Sequence, residues 1–307
     1  MDKASLRKLI VGPMGVLPTP FDENYQLDLG RMNAMIQRLI DSGVTHGKGV
    51  LKIASAVGEG PMLSDIEIPA LLRTAVKAAD GRATIMLGIH YKDTTRAIEE
   101  AKMAQDMGAI SLQVTPPIWN MPTQEDMYDF FYDLSNAIDI GIMIYHTHWM
   151  TGGFIEVETF EKLADLDNIA AIKWSVPNND DFELMTKFTD KVNMIDNTAN
   201  PVGNHKLGGR GYVQSYLDVN PKFDLKVWEL LEAKQYDEAQ KLYDSARIPL
   251  HSMYELVSKR TGGQSILHKA MNELMGNPVG PSRPPSKTLN TEETAELKRR
   301  LQDIGWL

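Results

Sequence analysis

Apolar positions along this chain follow two periods in turn. Short runs with strand character, such as "MGVLPTP", "ATIMLGIHY" and "GIMIYHT", are each followed by a longer stretch whose apolar residues recur every three to four positions. Met32, Met35, Ile36, Leu39 and Ile40 fall at i, i+3, i+4, i+7 and i+8, and Met127, Phe130, Phe131 and Leu134 repeat that spacing. Ser64 before "DIE" and Thr123 before "QED" supply helix start signals. The alternation continues through "IAAIKWSV" then "DDFELMTKFTD", "VNMIDNT" then "PVGNHKLGG", and "GYVQSYL" then "PKFDLKVWELLEA". About eight such units is the number that closes a (β/α)8 TIM barrel, a fold of ~250 residues in the α/β class. An open doubly wound sheet is the competitor. The expected division is a barrel over residues 1–221, with 222–307 supplying the last barrel helix and a C-terminal helical layer of the same structural domain. That tail holds "WELLEAKQYDEAQKLYDSA", a Pro-rich "GNPVGPSRPPSK" and a last helix "TEETAELKRRLQDIG".

Composition narrows the class of partner. The chain has 307 residues, 43% hydrophobic and 24% charged, as an ordinary soluble globular protein does. A net charge of −9 without a basic cluster argues against nucleic acid, whose phosphates need cations. With no cysteine there is no disulfide frame, thiolate nucleophile or Cys-ligated zinc. The start "MDKASLRKLIVGPMG" lacks a signal-peptide core, and no apolar run approaches the ~18 residues of a membrane span. The expectation is a cytoplasmic protein with small-molecule partners and no membrane contact.

Catalytic groups of a β/α barrel sit where its strands run out. Those ends offer Thr19, Ser55, His90, Thr115, Tyr145, Lys173, Asn197 and Ser215, with Lys173 the one lysine among them. In "NIAAIKWSV" the alternation puts Lys173 on a face with small residues, pointing inward. Apolar walls desolvate an ammonium, lower its pKa and leave neutral amine able to attack a carbonyl. The bland alternative is a lysine whose head reaches solvent or pairs with a carboxylate. Tyr145, ending the preceding strand, lies roughly 5 Å away across a parallel pair and could move protons for a group on Lys173; its alternative is a core tyrosine.

At these residues the sequence resembles the dihydrodipicolinate synthase/N-acetylneuraminate lyase superfamily. The likeness runs nearly end to end, through "LPTPFDENYQLD", "SAVGEGPMLSDIE", "VTPP", "IYHTHWMTG", "NIAAIKWS" and "LGGRGYV" in order. It implies a Schiff-base barrel in which Lys173 forms an imine with a 2-oxo acid, usually pyruvate, and Tyr145 shuttles protons. No cofactor is implied, and a homotetramer is. The second-strand turn that would hold the substrate carboxylate carries Ser55, Ala56 and Val57, where relatives have glycine and two hydroxyl residues. Thr19 and Ser215 join these as substrate-binding candidates. After the tyrosine the synthases usually have Asn-x-Pro and then an arginine that grips a second carboxylate. Here stand His146, Thr147, His148, Trp149 and Met150. Met150 in the arginine's place speaks against aspartate semialdehyde as acceptor. His146, His148, Met150 and Trp119 are therefore expected around an uncharged or aryl aldehyde partner, with one histidine making a polar contact. Trp119 also leans the resemblance toward hydratase-aldolases of aryl-substituted pyruvates, packing being its alternative. The tyrosine pair that members often exchange across their dimer is missing from "TPPIWNMP".

The expected activity is a carbon–carbon lyase or aldolase next to a 2-oxo acid. A dehydratase using the same enamine is the alternative, and a 2-oxo-acid sensor that has lost its chemistry is a third reading. His146 and His148, with His90 or Glu59, raise a metal-dependent aldolase, but the Schiff-base family needs no metal and none is expected. Arg210 in "HKLGGRG" reads as a structural residue of its turn.

Overall fold

The structure, a computed structural model, describes residues 1–307 apart from Tyr91, Thr147, Thr151 and the side chains of Asn179 and Asp180. The chain begins with α1 (Lys3–Leu9) and β1 (Gly12–Val16). Helices and strands then alternate through α2 (Leu29–Asp41), β2 (Val50–Ile53), α3 (Glu67–Ala79), β3 (Thr84–Ile89), α4 (Thr94–Asp106) and β4 (Ser111–Val114). They continue with α5 (Gln124–Ala137), β5 (Gly141–Tyr145), α6 (Val157–Leu163), β6 (Ile169–Trp174), β7 (Asn193–Asp196), α7 (Pro201–Lys206) and β8 (Gly211–Tyr212). The strands run parallel in chain order and β8 pairs back to β1, so the sheet is a closed (β/α)8 barrel, not an open doubly wound one. α8 (Pro221–Glu232) is the last barrel helix, and α9 (Tyr236–Ser258), α10 (Ser265–Leu274) and α11 (Thr291–Asp303) pack beyond it around a second apolar core. Among the described residues no helix is long and apolar enough to cross a membrane.

The barrel interior holds Met14, Val16, Val50, Met86, Met143, Ala171 and Ile195. Leu6 and Ile10 join them and lie against Gly141, the first residue of β5, so the N-terminal segment plugs the bottom of the barrel. The hydrophobic pattern did not single out that helix. Asp2 caps it by accepting from the Ser5 N–H, and Arg7 fixes it through a 2.8 Å bond to the Thr189 carbonyl. A second difference lies between β6 and β7, where an α-helix is expected and Asn179–Lys187 is a 3-10 helix. Phe182, Met185 and Phe188 are buried at a strict spacing of three, which lines up on one side of a 3-10 turn and drifts off the face of an α-helix.

The top of the barrel is shaped by the turn after β2. Ala54 and Glu59 there have φ of 49° and 56°, the left-handed region that β-carbons disfavour. A Cβ on Gly60 would sit 1.7 Å from the Ala54 carbonyl oxygen, so the turn closes this tightly only with glycine. The C-terminal layer braces it. Lys269 of α10 pairs with Glu59 at 2.8 Å, both side chains buried, and the Arg283 N–H donates to the same carboxylate at 3.2 Å. The Arg283 guanidinium reaches Glu67 and the Tyr25 carbonyl, tying the Pro-rich segment across the loops after β1 and β2. Removing one partner of a buried pair strands the other's charge, so Lys269→Met is expected to cost about 3 kcal/mol or more in chemical denaturation. A loss within about 1 kcal/mol would mean that the pair behaves as a solvated one.

Candidate active site

Lys173 is the penultimate residue of β6 and pairs in register with Tyr145 at the end of β5. Its side chain is 6% exposed, and Nζ lies over the face of the Tyr145 ring, 3.5 Å from the centroid. Burial, and after it the nearby Lys52 cation, push the Lys173 amine well below the usual lysine range. The phenol ring is thus seated on the amine by the strand pairing itself. His90 stands beside it, ring centroids 6.4 Å apart, with its imidazole pulled down to about 4 by burial and then by the charge of Lys173.

Lys173 and Tyr145 open into a cavity of about 420 Å³ at the top of the barrel. Ser55, Ala56 and Val57 of the β2 turn line one side. The Ser55 hydroxyl is buried without a hydrogen-bond partner among the described residues. Nor do the N–H groups of Ala56 and Val57 donate to a backbone carbonyl among them. Unclaimed donors of this kind can take a carboxylate, because fixed dipoles need no reorganisation when the anion arrives. The far wall comes from the C-terminal layer and the loop after β5: Leu250, Tyr254, Leu267, Met271 and Trp149, with His251, Gln264 and His268 as its polar members. Neither an arginine nor a carboxylate lines the cavity among the described residues.

The chain as a whole is similar to known proteins. The model of the dihydrodipicolinate synthetase family matches residues 10–304. The chain belongs to this family. It is an enzyme of the lysine Schiff-base lyase class. A 4-hydroxy-tetrahydrodipicolinate synthase of Methanococcus maripaludis is 28% identical over 297 residues, spanning 95% of this chain and 99% of its own. That of a Hydrogenobaculum species is 32% identical over 216 residues, 70% of this chain and 73% of its own. The crystal structure of dihydrodipicolinate synthase from Acinetobacter baumannii, complexed with pyruvate, superimposes with a TM-score of 0.85 at 23% identity, covering 97% of this chain and 100% of that one, a likeness of fold.

Against this family background the candidates from the sequence divide. Lys173, Tyr145, Ser55, Ala56, Val57 and Ser215 line the cavity, with the Ser215 hydroxyl donating to the Met14 carbonyl at 3.0 Å. Thr19 does not line it. Its hydroxyl donates to the Gly58 carbonyl at 2.5 Å and props the β2 turn from behind. His146 is a correction: β5 ends at Tyr145, and the next side chain turns outward among Phe160, Phe154 and Trp174, with ring centroids 5.2, 5.4 and 6.1 Å away. Burial, then the charge of His148, hold its imidazole near about 4. His148 bonds the Ser175 hydroxyl at 3.0 Å and stays outside the lining. Trp119, 76% exposed, and Met150 are outside it too, whereas Trp149 faces in at 6.0 Å from Tyr145. Thr147 lies outside the described residues. The two imidazoles lie 5.8 Å apart between centroids, and no three His, Asp or Glu side chains among the described residues are placed to hold a metal. Arg210 makes a two-pronged pair with Glu232 at 2.8 and 3.0 Å, remote from the cavity lining.

Two sets of lining residues escaped the sequence reading. One is Lys52 with Gln113 inside the barrel; the other is the wall built by α9 and α10. His268 in that wall is bonded to Asp218 at 2.9 Å. Burial disfavours its cation, but the Asp218 carboxylate outweighs burial and the imidazole ends above its usual range.

Proposed function

We propose that this protein forms or cleaves a carbon–carbon bond next to a 2-oxo acid of the pyruvate type, through an imine on Lys173, with an uncharged, partly apolar or aryl aldehyde as partner. The carrying observation is the enclosed Lys173 amine at the base of a cavity whose one side offers carboxylate donors and whose other side is aromatic and aliphatic. The neutral amine attacks the 2-oxo carbon and a C–N bond forms. The carbonyl oxygen takes up protons and leaves as water, giving a protonated imine. Loss of a C3 proton then yields an enamine, whose carbon attacks the aldehyde carbon while the aldehyde oxygen gains a proton. Water adds back to release the product and the lysine. Tyr145, against the amine, is the group for these proton transfers.

Support for the partner comes from the far wall. An acceptor with a second carboxylate gains on the order of 2 kcal/mol or more from a bidentate arginine pair, and no arginine lines the cavity among the described residues. Tyr254, Trp149 and Leu267 offer flat and apolar surface instead. The reading is tested by offering pyruvate with benzaldehyde, glyceraldehyde or aspartate semialdehyde. The aryl aldehyde is expected to lead in kcat/KM by about tenfold or more. A clear lead for aspartate semialdehyde would return the chain to the reaction for which its relatives are named. A lead for glyceraldehyde would make the aromatic wall mere packing.

A further inference from the structure

The barrel interior contains a second lysine. Lys52 is 1% exposed, lies mid-strand in β2 and shares its inward face with Val50. Its Nζ donates to Gln113 Oε1 on β4 at 3.0 Å. Alternate strands fill a barrel in layers, and Lys52, Gln113 and Lys173 come from β2, β4 and β6 and line one cavity. The other titratable groups lining this space are Tyr145 from β5, Tyr216 after β8, and His251, Tyr254 and the Asp218-paired His268 from the helical layer, with His90, just past β3, behind the Tyr145 ring. β1 and β7 contribute Val16 and Ile195, and Val213 follows β8. No carboxylate of the described residues lines the cavity with the two amines.

We infer that Lys52 is a positioning residue whose ammonium, held by Gln113, keeps the Lys173 amine free of its proton in the resting enzyme. The inference rests on the imine reading above. Two ammonium ions enclosed together without an anion repel strongly, so one proton is given up. The amine that retains it is the one with a fixed carbonyl acceptor, because a charge-assisted hydrogen bond outweighs a ring face as a partner for a cation. That amine is Lys52. Burial draws even Lys52 down to about 7, in keeping with an interior that tolerates little positive charge. A packing role for so long a side chain is poorly served by a lysine, since Met would fill the same volume without desolvating a cation.

The test follows adduct formation on Lys173 with pyruvate and cyanoborohydride, by intact mass, as a function of pH. In Lys52→Met the pH midpoint of the rate is expected to rise by one unit or more, which lowers the rate at pH 7 by about tenfold and restores it at alkaline pH. Gln113→Glu places a carboxylate beside Lys52, cancels its charge and is expected to move the midpoint the same way. Competitive acetylation of Lys173 without pyruvate reads the same proton affinity with no imine involved, and should shift in parallel. Midpoints unchanged from wild type in the folded variants overturn the inference. Should Lys52→Met not fold, Gln113→Glu decides alone. Absence of an adduct in the wild type would instead defeat the imine reading, while the acetylation arm still decides the role of Lys52.

Discussion

Lys173→Ala is expected to lower kcat/KM for condensation or cleavage by at least about 10⁴-fold, since nothing else at that position can carry the covalent intermediate. Lys52 cannot substitute for it. Its Nζ is committed to Gln113 and its stem leaves β2, whereas the Tyr145 ring lies against Lys173 Nζ. The variant should fold, because it removes a buried amine that no carboxylate of the cavity lining balances. Steady-state kinetics alongside a thermal melt separate the two effects. Retention of more than about a tenth of the wild-type kcat/KM would mean that the lysine is a structural side chain.

Tyr145→Phe is expected to separate binding from turnover. Phenylalanine keeps the ring face that meets Lys173 Nζ at 3.5 Å, so pyruvate should still form its adduct. The hydroxyl is lost, and with it the group proposed to move protons during carbinolamine collapse and bond formation. A fall in kcat of about 10²- to 10⁴-fold is the predicted pattern, with adduct formation slowed but reaching the wild-type yield. Loss of the adduct yield itself would assign Tyr145 to seating the amine, and no loss in either would make it a packing residue.

The eight strand and helix units were legible because each carries its own period, and a one-residue error in a buried strand would turn its apolar face outward. The pairing of Lys173 with Tyr145 was legible for the same reason, both lying at the C-terminal ends, last or next to last, of neighbouring parallel strands. His146 was misplaced because attention to polar residues at the strand end passed over the alternation itself: it follows the inward-facing Tyr145 and so turns outward, among Phe154 and Phe160. Lys52 could have been found. "GVLKIAS" sets Val50 and Lys52 on one face by the alternation that singles out Lys173, but attention to strand ends passes over a mid-strand cation. The contribution of His251, Tyr254 and Gln264 was beyond local reasoning. It depends on how α9 and α10 fold back over the barrel mouth, held in part by Lys269 on Glu59, a contact between residues far apart in sequence.

The wall built by those helices also changes why the acceptor is expected to be uncharged. Met150, in the place of an arginine, does not line the cavity at all. What supports the expectation is the character of the whole wall, aromatic and aliphatic with a neutral amide at Gln264. His268 adds positive character but is engaged with Asp218, so it brings little net charge to a bound anion.

Reduction with borohydride in the presence of pyruvate, followed by intact mass and peptide mapping, tests the central claim most directly. The account predicts one adduct per chain, with the mass of pyruvate less water plus two hydrogens, located on Lys173 and absent from Lys173→Ala. No adduct in the wild type, or one that maps to Lys52 and survives Lys173→Ala, would contradict it.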